Sequence, residues 1–304
     1  MTRAALLVTH TGRRDSTEHA RAVARDLLGA GFEVRVMTEE VEQLDLPGLT
    51  PVSGAGAAEG AEIVFALGGD GTLLRAAELA RPAKAPLLGI NLGHVGFLAE
   101  AEVGDLDQAV RDVVARAYTV DERLTLDVTV ARDGQVTAQS WALNEVTVEK
   151  GPREKVLEVL VNIDGRPLSR YGCDGIVCAT PTGSTAYAFS AGGPVVWPEV
   201  EALLVVPISA HALFSRPLVT APTSTIEVVV EPYTVPAVLS CDGRRVFEVA
   251  PGSRVTVNRG GLPVRVVRLR PRTFTDRLVA KFALPVEGWR RGLREMREPG
   301  LDTS

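Results

Sequence analysis

Residues 63–81 read IVFALGGDGTLLRAAELAR, and the order of their parts decides the fold. The apolar run Ile63 to Leu67 has the composition of a buried strand, Gly68-Gly69-Asp70-Gly71 reads as a turn, and Thr72 to Arg81 carries helical spacing. A strand that feeds a helix through glycines can cradle an anion. Backbone N–H groups approach closely where no Cβ intervenes, and the helix end adds partial positive charge. Thr72 is placed to cap the first turn. Asp70 is out of character in such a loop, because a carboxylate repels phosphate. It points to work on a hydroxyl, as general base or orienting group, or to metal binding. An Asx turn built on an Asp-Gly pair is the plain alternative.

Outward from this unit the alternation repeats. Ala4 to Thr9 reads as a strand, Ser16 to Leu28 as an amphipathic helix stopped by Gly29 and Gly31, and Phe32 to Met37 as a second strand. After the Pro82 to Pro86 break comes the strand Leu87 to Asn91, and Leu106, Ala109, Val110, Val113, Val114 and Ala117 mark one helix face. Such alternation predicts a parallel sheet covered by helices. From Leu124 the period changes to two, with Leu124, Leu126, Val128 and Val130 on one face and Thr125, Asp127 and Thr129 on the other. Asp133-Gly134, Asp164-Gly165 and Asp242-Gly243 sit between strand-like runs, as type I′ hairpin turns do. The fold class expected is an α/β N-terminal domain with a parallel sheet, residues 1–120, followed by an all-β domain, residues 121–272. Within 273–304, Phe274 to Ala283 is helical in pattern and is expected to pack back on the first domain. Residues after Trp289 are charged and expected to fray.

A chain of 304 residues is long enough to bury one large or two modest cores. Its net charge of −5, with Lys and Arg interspersed, argues against a dedicated nucleic-acid surface and leaves room for a local anion pocket. Cys173, Cys178 and Cys241 are odd in number and lack Cys-x-x-Cys spacing, which disfavours disulfide and zinc frameworks and suits reduced, half-buried thiols. The apolar stretch Ala4 to Val8 is too short for a signal core, and no run approaches the roughly 20 residues of a membrane span. A soluble, cytoplasmic protein with no membrane partner is expected.

Three further segments carry chemistry. Thr180-Pro181-Thr182-Gly183-Ser184-Thr185-Ala186-Tyr187 follows the strand Val177 to Ala179 and continues helix-like to Ser190, setting four hydroxyls beside free N–H groups. They suit a ribose, phosphate or amide; an elaborate helix cap shaped by Pro181 is the alternative. Asn144-Glu145 lies inside the β run Trp141 to Val148, where neighbouring side chains face opposite ways unless the strand bends or ends. Cys173-Asp174-Gly175 and Cys241-Asp242-Gly243 repeat a turn tripeptide, and Asp174 is the better site candidate because it is close to the Thr182 to Tyr187 turn. Arg75, one helical turn beyond Gly71, can point back toward a bound phosphate, as can Lys155 in the cluster Lys150, Arg153, Lys155; a solvated helix arginine and a solvated hairpin cluster are the plain alternatives. His10, His19, His94 and His211 have no metal spacing. There is no Gly-Lys pair for a P-loop, no Gly-x-Ser-x-Gly elbow, and Gly54 to Glu59 misses the dinucleotide fingerprint.

Taken together, these segments resemble the NAD kinases in their bacterial form. The matching pieces are Gly68-Gly69-Asp70-Gly71-Thr72 with Arg75, Asn91-Leu92-Gly93 with Gly96-Phe97-Leu98, Asn144-Glu145, Asp174-Gly175, Thr180 to Tyr187, and Ser190-Ala191-Gly192-Gly193-Pro194. The first tetrad alone is shared with diacylglycerol kinases and, more loosely, phosphofructokinases. The resemblance implies phosphoryl transfer from ATP or inorganic polyphosphate, with Mg²⁺, to the 2′-hydroxyl of the adenosine ribose of NAD. It implies a site between two domains and a homodimer or homotetramer. Asp70 would be the catalytic carboxylate. Gly68, Gly69, Gly71 and Thr72 would hold donor phosphate, assisted by Arg75. NAD would lie against Asp70, Gly71, Asn144, Glu145, Lys155, Asp174, Thr185, Ala186, Tyr187, Ala188, Phe189 and Ser190. Mg²⁺ would arrive with the nucleotide rather than in an all-protein cage, and the metal ligands stay unassigned. Arg244 departs from the polar amide that many members carry, which puts its part in NAD binding in question. The rivals are a lipid or sugar kinase sharing the tetrad, which leaves Asn144-Glu145 unexplained, and a non-catalytic NAD-binding regulator, which has no use for Asp70.

Overall fold

The computed structural model describes residues 3–9, 14–92, 100–151, 154–269 and 273–286. His10, Gly93, His94, Gly96, Phe97, Leu98, Arg153 and the segment after Trp289 lie outside the described residues. An eight-stranded sheet forms the first domain. Seven of its strands run in the order Leu49–Val52, Glu33–Met37, Ala4–Thr9, Ile63–Leu67, Leu87–Asn91, Val264–Arg268 and Thr119–Arg123, and the short strand Ala101–Glu102 pairs with Leu87–Asn91. Every neighbour is parallel except the last pair, Val264–Arg268 with Thr119–Arg123.

Alternation along each strand builds the two faces. Ala5, Leu7, Phe65 and Ile90 meet Ala20, Val23, Leu27, Leu106, Ala109 and Val113 from the helices Arg14–Gly29 and Leu106–Val114. Leu6, Val8, Val64 and Ala66 meet Leu73, Ala76, Ala77 and Ala80 from the helix Asp70–Ala83. Both faces are covered, which is why Ile63 to Leu67 is apolar throughout and does not alternate.

Two features differ from the sequence expectation. The helix Thr38–Leu44 and the strand Leu49–Val52 were not anticipated, since the first is mostly polar and the second is an edge strand that carries Pro51. The boundary between domains also shifts. Thr119–Arg123 and Val264–Arg268 extend the parallel sheet, so the chain leaves the first domain after Arg123 and re-enters it at Val264, not after residue 272. Thr119–Arg123 has Val120 as its one apolar residue and Val264–Arg268 reads as any apolar strand does, so neither says which sheet it joins.

The intervening module is two six-stranded antiparallel sheets. Val128, Val159, Val228 and Val257 from one and Val146, Cys178, Val205 and Leu239 from the other fill a common core. Positive φ at Asp133 and Gly134 and at Asp164 and Gly165 matches the type I′ turns expected there. The third turn is one residue longer, since Cys241 pairs with Arg245 across Asp242, Gly243 and Arg244. All three cysteines are free and fully buried, beyond the half-burial expected.

The helix Phe274–Phe282 opens with a Thr273–Asp276 capping box. It touches both domains. Phe282 meets Phe189 at 4.7 Å, Phe274 meets Trp197 edge-on at 5.0 Å, and Arg277 donates to Glu100 at 2.6 Å. Among the described residues no helix is long and apolar enough to cross a membrane.

Candidate active site

The glycine loop sits at the carboxyl end of the parallel sheet, the usual ligand edge of such sheets. Gly68 N–H bonds to the Ile90 carbonyl at 3.0 Å, closing the loop over the neighbouring strand. The helix then starts two residues earlier than expected, with Gly69 as its cap and Asp70 as its first residue. Thr72 does not cap it. Its side chain is buried, and its N–H bonds back to the Gly69 carbonyl at 3.0 Å. Gly69, Asp70 and Gly71 are all exposed. Gly69 has φ −87° and ψ −170°, open to any residue, and a Cβ added at Gly69 or Gly71 would meet nothing within 4 Å. Neither backbone geometry nor internal packing calls for glycine here. The two glycines border open space beside the N–H groups of a helix start, the kind of place that suits an anion.

Arg75 differs from its expected free reach over the loop. It donates to Glu40 Oε1 at 2.7 Å and to Glu39 Oε1 at 2.8 Å, both on the helix Thr38–Leu44. Glu40 is wholly buried, and its other oxygen accepts from Thr9 N at 3.1 Å and Thr9 Oγ1 at 3.2 Å. Burial pushes the Glu40 carboxyl above its ordinary range, with the nearby Arg75 charge pulling the other way. The loop's nearest arginine therefore already carries two carboxylate partners.

Asn144 and Glu145 occupy a corner. The expected continuous β run is two strands, Gln135–Ala142 and Glu145–Lys150, which belong to different sheets, and both residues are buried where the chain crosses between them. Asp242 fastens this corner. Its Oδ1 accepts from the N–H of Asn144 at 2.7 Å and of Glu145 at 3.3 Å, and its Oδ2 accepts from Leu143 N at 2.9 Å. Burial and the Asp242 charge push the Glu145 carboxyl up to about 8.

The hydroxyl-rich turn packs on the same corner. Thr180 N–H bonds the Asn144 carbonyl at 2.9 Å, and Thr180 Oγ1 donates to the Leu143 carbonyl at 2.6 Å. A Cβ on Gly183 would lie 2.0 Å from the Asn144 carbonyl oxygen, so this glycine is required by close approach. Two of the four hydroxyls are consumed inside: Thr180 and Ser184 are fully buried, with Ser184 Oγ donating to the Pro181 carbonyl and accepting from Val196 N. The helix-like continuation is a 3₁₀ turn, Gly183–Thr185, and a single helical turn, Tyr187–Ser190. Tyr187, Phe189 and Ser190 are exposed and Thr185 and Ala186 partly so, whereas Ala188 points into a core with Val177 and Leu204. Tyr187 N–H reaches Glu145 Oε2 at 3.3 Å, and its hydroxyl donates to Glu149 Oε1 at 2.8 Å. Burial and that bond push the phenol up to about 12. Asp174 pairs with Lys150 at 2.8 Å, which holds its carboxyl below the usual range. Lys155 is exposed, with its carbonyl accepting from Lys150 Nζ at 3.2 Å.

The helix that starts at Asp70 is tied to this corner. Leu143 is buried in the same cluster as Leu73, Ala76 and Ala77. Glu78 accepts from Arg244 through two bonds of 3.0 and 3.2 Å and from Arg245. The Trp141 ring carries Arg81 at 4.4 Å and Arg245 at 4.6 Å. The sequence reading missed Glu40, Glu78, Glu149 and Arg245 and treated Asp242 as a turn residue. An anion-ready loop with an exposed carboxylate thus shares a helix with the tether of a buried amide and acid pair. Among the described residues no three His, Cys, Asp or Glu side chains converge as metal ligands.

Comparison with known proteins agrees with this layout. The ATP-NAD kinase N-terminal domain family matches residues 5–118, and the ATP-NAD kinase C-terminal domain family matches residues 143–269. The chain is 59% identical over 291 residues to NAD kinase 2 of Streptomyces coelicolor, covering 95% of this chain and 97% of that one. It is 59% identical over 298 residues to the NAD kinase of Thermobifida fusca, covering 95% and 91%. Among solved structures, an NAD kinase from Archaeoglobus fulgidus in complex with ATP is similar with TM-score 0.68 and 27% identity, covering 92% of this chain and 98% of that one. Yeast NADH kinase complexed with NADH shares the fold, with TM-score 0.87 and 22% identity over 94% and 89% of the two chains.

Proposed function

The chain belongs to the NAD kinase family, and we propose that its glycine loop holds the donor phosphates while Asp70 takes the proton of the 2′-hydroxyl on the adenosine ribose of NAD, giving NADP. The observation that carries this reading is the pair Gly69 and Gly71, glycines with open space at their Cβ positions on either side of an exposed carboxylate at a helix start. Phosphoryl transfer asks mainly for alignment and charge neutralisation. Gly69 and Gly71 supply backbone N–H groups, Gly68 and Thr72 shape the loop around them with their own N–H groups bonded to the Ile90 and Gly69 carbonyls, and Arg75 supplies charge held in place by Glu39 and Glu40. Asn144, Glu145, Asp174, Tyr187 and the exposed parts of Thr185 to Ser190 line the dinucleotide side, with Ala188 contributing only backbone. Lys155 belongs at its margin. A carboxylate beside donor phosphates is a donor set that suits Mg²⁺, which neutralises phosphate charge when bound. ATP or inorganic polyphosphate is the donor.

The same reading covers context. The protein acts in the cytoplasm as a homodimer or homotetramer, with the exposed Leu213, Phe214 and Val219 as apolar surface for self-association. The net charge of −5 speaks against nucleic acid as a partner. The test is NADP formation from NAD and Mg-ATP, read by an NADP-specific dehydrogenase, with polyphosphate in parallel and Asp70→Asn as control. Turnover is expected to fall roughly 100-fold or more in the variant, with NAD affinity within a few-fold. Near-normal turnover in Asp70→Asn would remove the base role.

A further inference from the structure

We propose that Asp242, Arg245 and Glu78 form a positioning relay that sets the dinucleotide corner in register with the helix bearing Asp70. This rests on the roles proposed for Asp70, Asn144 and Glu145. Asp242 holds three consecutive backbone amides, Leu143, Asn144 and Glu145. Its own N–H bonds the Glu145 carbonyl at 2.9 Å, so both ends of the residue grip the same corner. The second oxygen also accepts from Arg245 Nη2 at 2.9 Å, and that nitrogen donates again to the Trp141 carbonyl at 2.8 Å. Arg245 Nη1 reaches Glu78. Glu78 stands eight residues after Asp70 on one helix, about 12 Å along its axis at 1.5 Å per residue. An unbroken run of charge-assisted bonds therefore joins the reacting helix to the amides that shape the binding corner.

The chemistry gives this link a task. In the proposed reaction the donor phosphates and Asp70 belong to one domain while most residues that hold the dinucleotide belong to the other, and a misplacement of about 1 Å between reacting groups costs roughly 100-fold in rate. Arg244 provides the internal control. It pairs with the same Glu78, but it is exposed and its bonds end there. If Glu78 were only cement between domains, the two arginines would be equivalent. In a relay, only Arg245 matters.

The experiment measures kcat, both Michaelis constants and NAD affinity by calorimetry for the full-length parent and for Glu78→Ala, Arg244→Ala, Arg245→Ala, Asp242→Asn and the Glu78→Ala/Arg245→Ala pair. Glu78→Ala is expected to lower kcat roughly tenfold with NAD affinity within threefold, and Arg244→Ala to change neither by more than about twofold. Asp242→Asn is expected to weaken NAD roughly tenfold, since the corner loses its charged acceptor. The double variant should be no slower than the slower single one, as members of one chain are not additive. Equal losses for Arg244→Ala and Arg245→Ala, or an unchanged kcat in Glu78→Ala, would overturn the relay. A folded parent that makes no NADP would instead overturn the functional reading beneath it. Should Asp242→Asn fail to fold, the exposed Arg244 and the Glu78 comparison still decide.

Discussion

The two halves of the candidate site are built by opposite means. The glycine loop is local and open: ten consecutive residues make strand, turn and helix start, and Gly69 and Gly71 face empty space. The dinucleotide corner is distant in sequence and closed. Leu143 to Glu145, Thr180 to Gly183 and Asp242 come together, with Asp242 bonding amides 97 to 99 residues away. Glycine accordingly means different things in the two places. At Gly71 it borders open space, and at Gly183 it leaves room for the protein itself.

Breaking the closed half gives the largest effect. Gly183→Ala drives a Cβ into the Asn144 carbonyl, and the expected loss is roughly 3 kcal/mol of stability, read as a drop in the denaturant midpoint. Next is Glu145→Gln. A carboxyl raised to about 8 contributes stability that is fully present below its unfolded value near 4.5 and is lost as pH rises through 8. The variant is expected to flatten the fall of parental stability between about pH 4.5 and 8 and to gain roughly 2 kcal/mol at pH 9, measured by urea titration. Third, Gly71→Ala should sharpen the contrast with Gly183. Its folding should be at least as stable as the parent's, because alanine is the better helix former, while the Michaelis constant for the donor rises about tenfold. An unfolded Gly71→Ala protein would contradict the open loop.

The smallest effect lies in the first domain, where a carboxyl titrates the other way. Arg3 holds Glu62 through bonds of 2.9 and 2.6 Å, which brings its carboxyl down to about 2. That stability is present above pH 4.5 and disappears as pH falls toward 2. Arg3→Ala is expected to cost about 1 kcal/mol more at pH 7 than at pH 2, where the loss of its bonds to the Val113 and Val114 carbonyls remains, by thermal melts at the two values.

The same contrast explains what the sequence made legible. Strand, glycine turn and helix lie within one window, so these elements could be read directly, although the helix starts at Asp70, Thr72 does not cap it, and Arg75 turns to Glu39 and Glu40. Glu40 could not be read, because its partners Thr9 and Arg75 are 31 and 35 residues away and a polar helix offers no apolar stripe. Asp242 could be read as a turn residue, which it is, but its side chain serves strands nearly 100 residues earlier. Thr119 to Arg123, mostly polar, and Val264 to Arg268 carry nothing in their own residues that says which sheet takes them. Local patterns specify elements; long-range pairing specifies neighbours.

The place of Val264–Arg268 in the first sheet, between Leu87–Asn91 and Thr119–Arg123, has a consequence for synthesis on the ribosome. Both flanking strands emerge well before the one that goes between them. Domains fold as they emerge, and pairing distant strands is slow because the loop must close first. The antiparallel module therefore completes itself while the earlier sheet still has two bare edges, and the nascent chain closes its parallel sheet last.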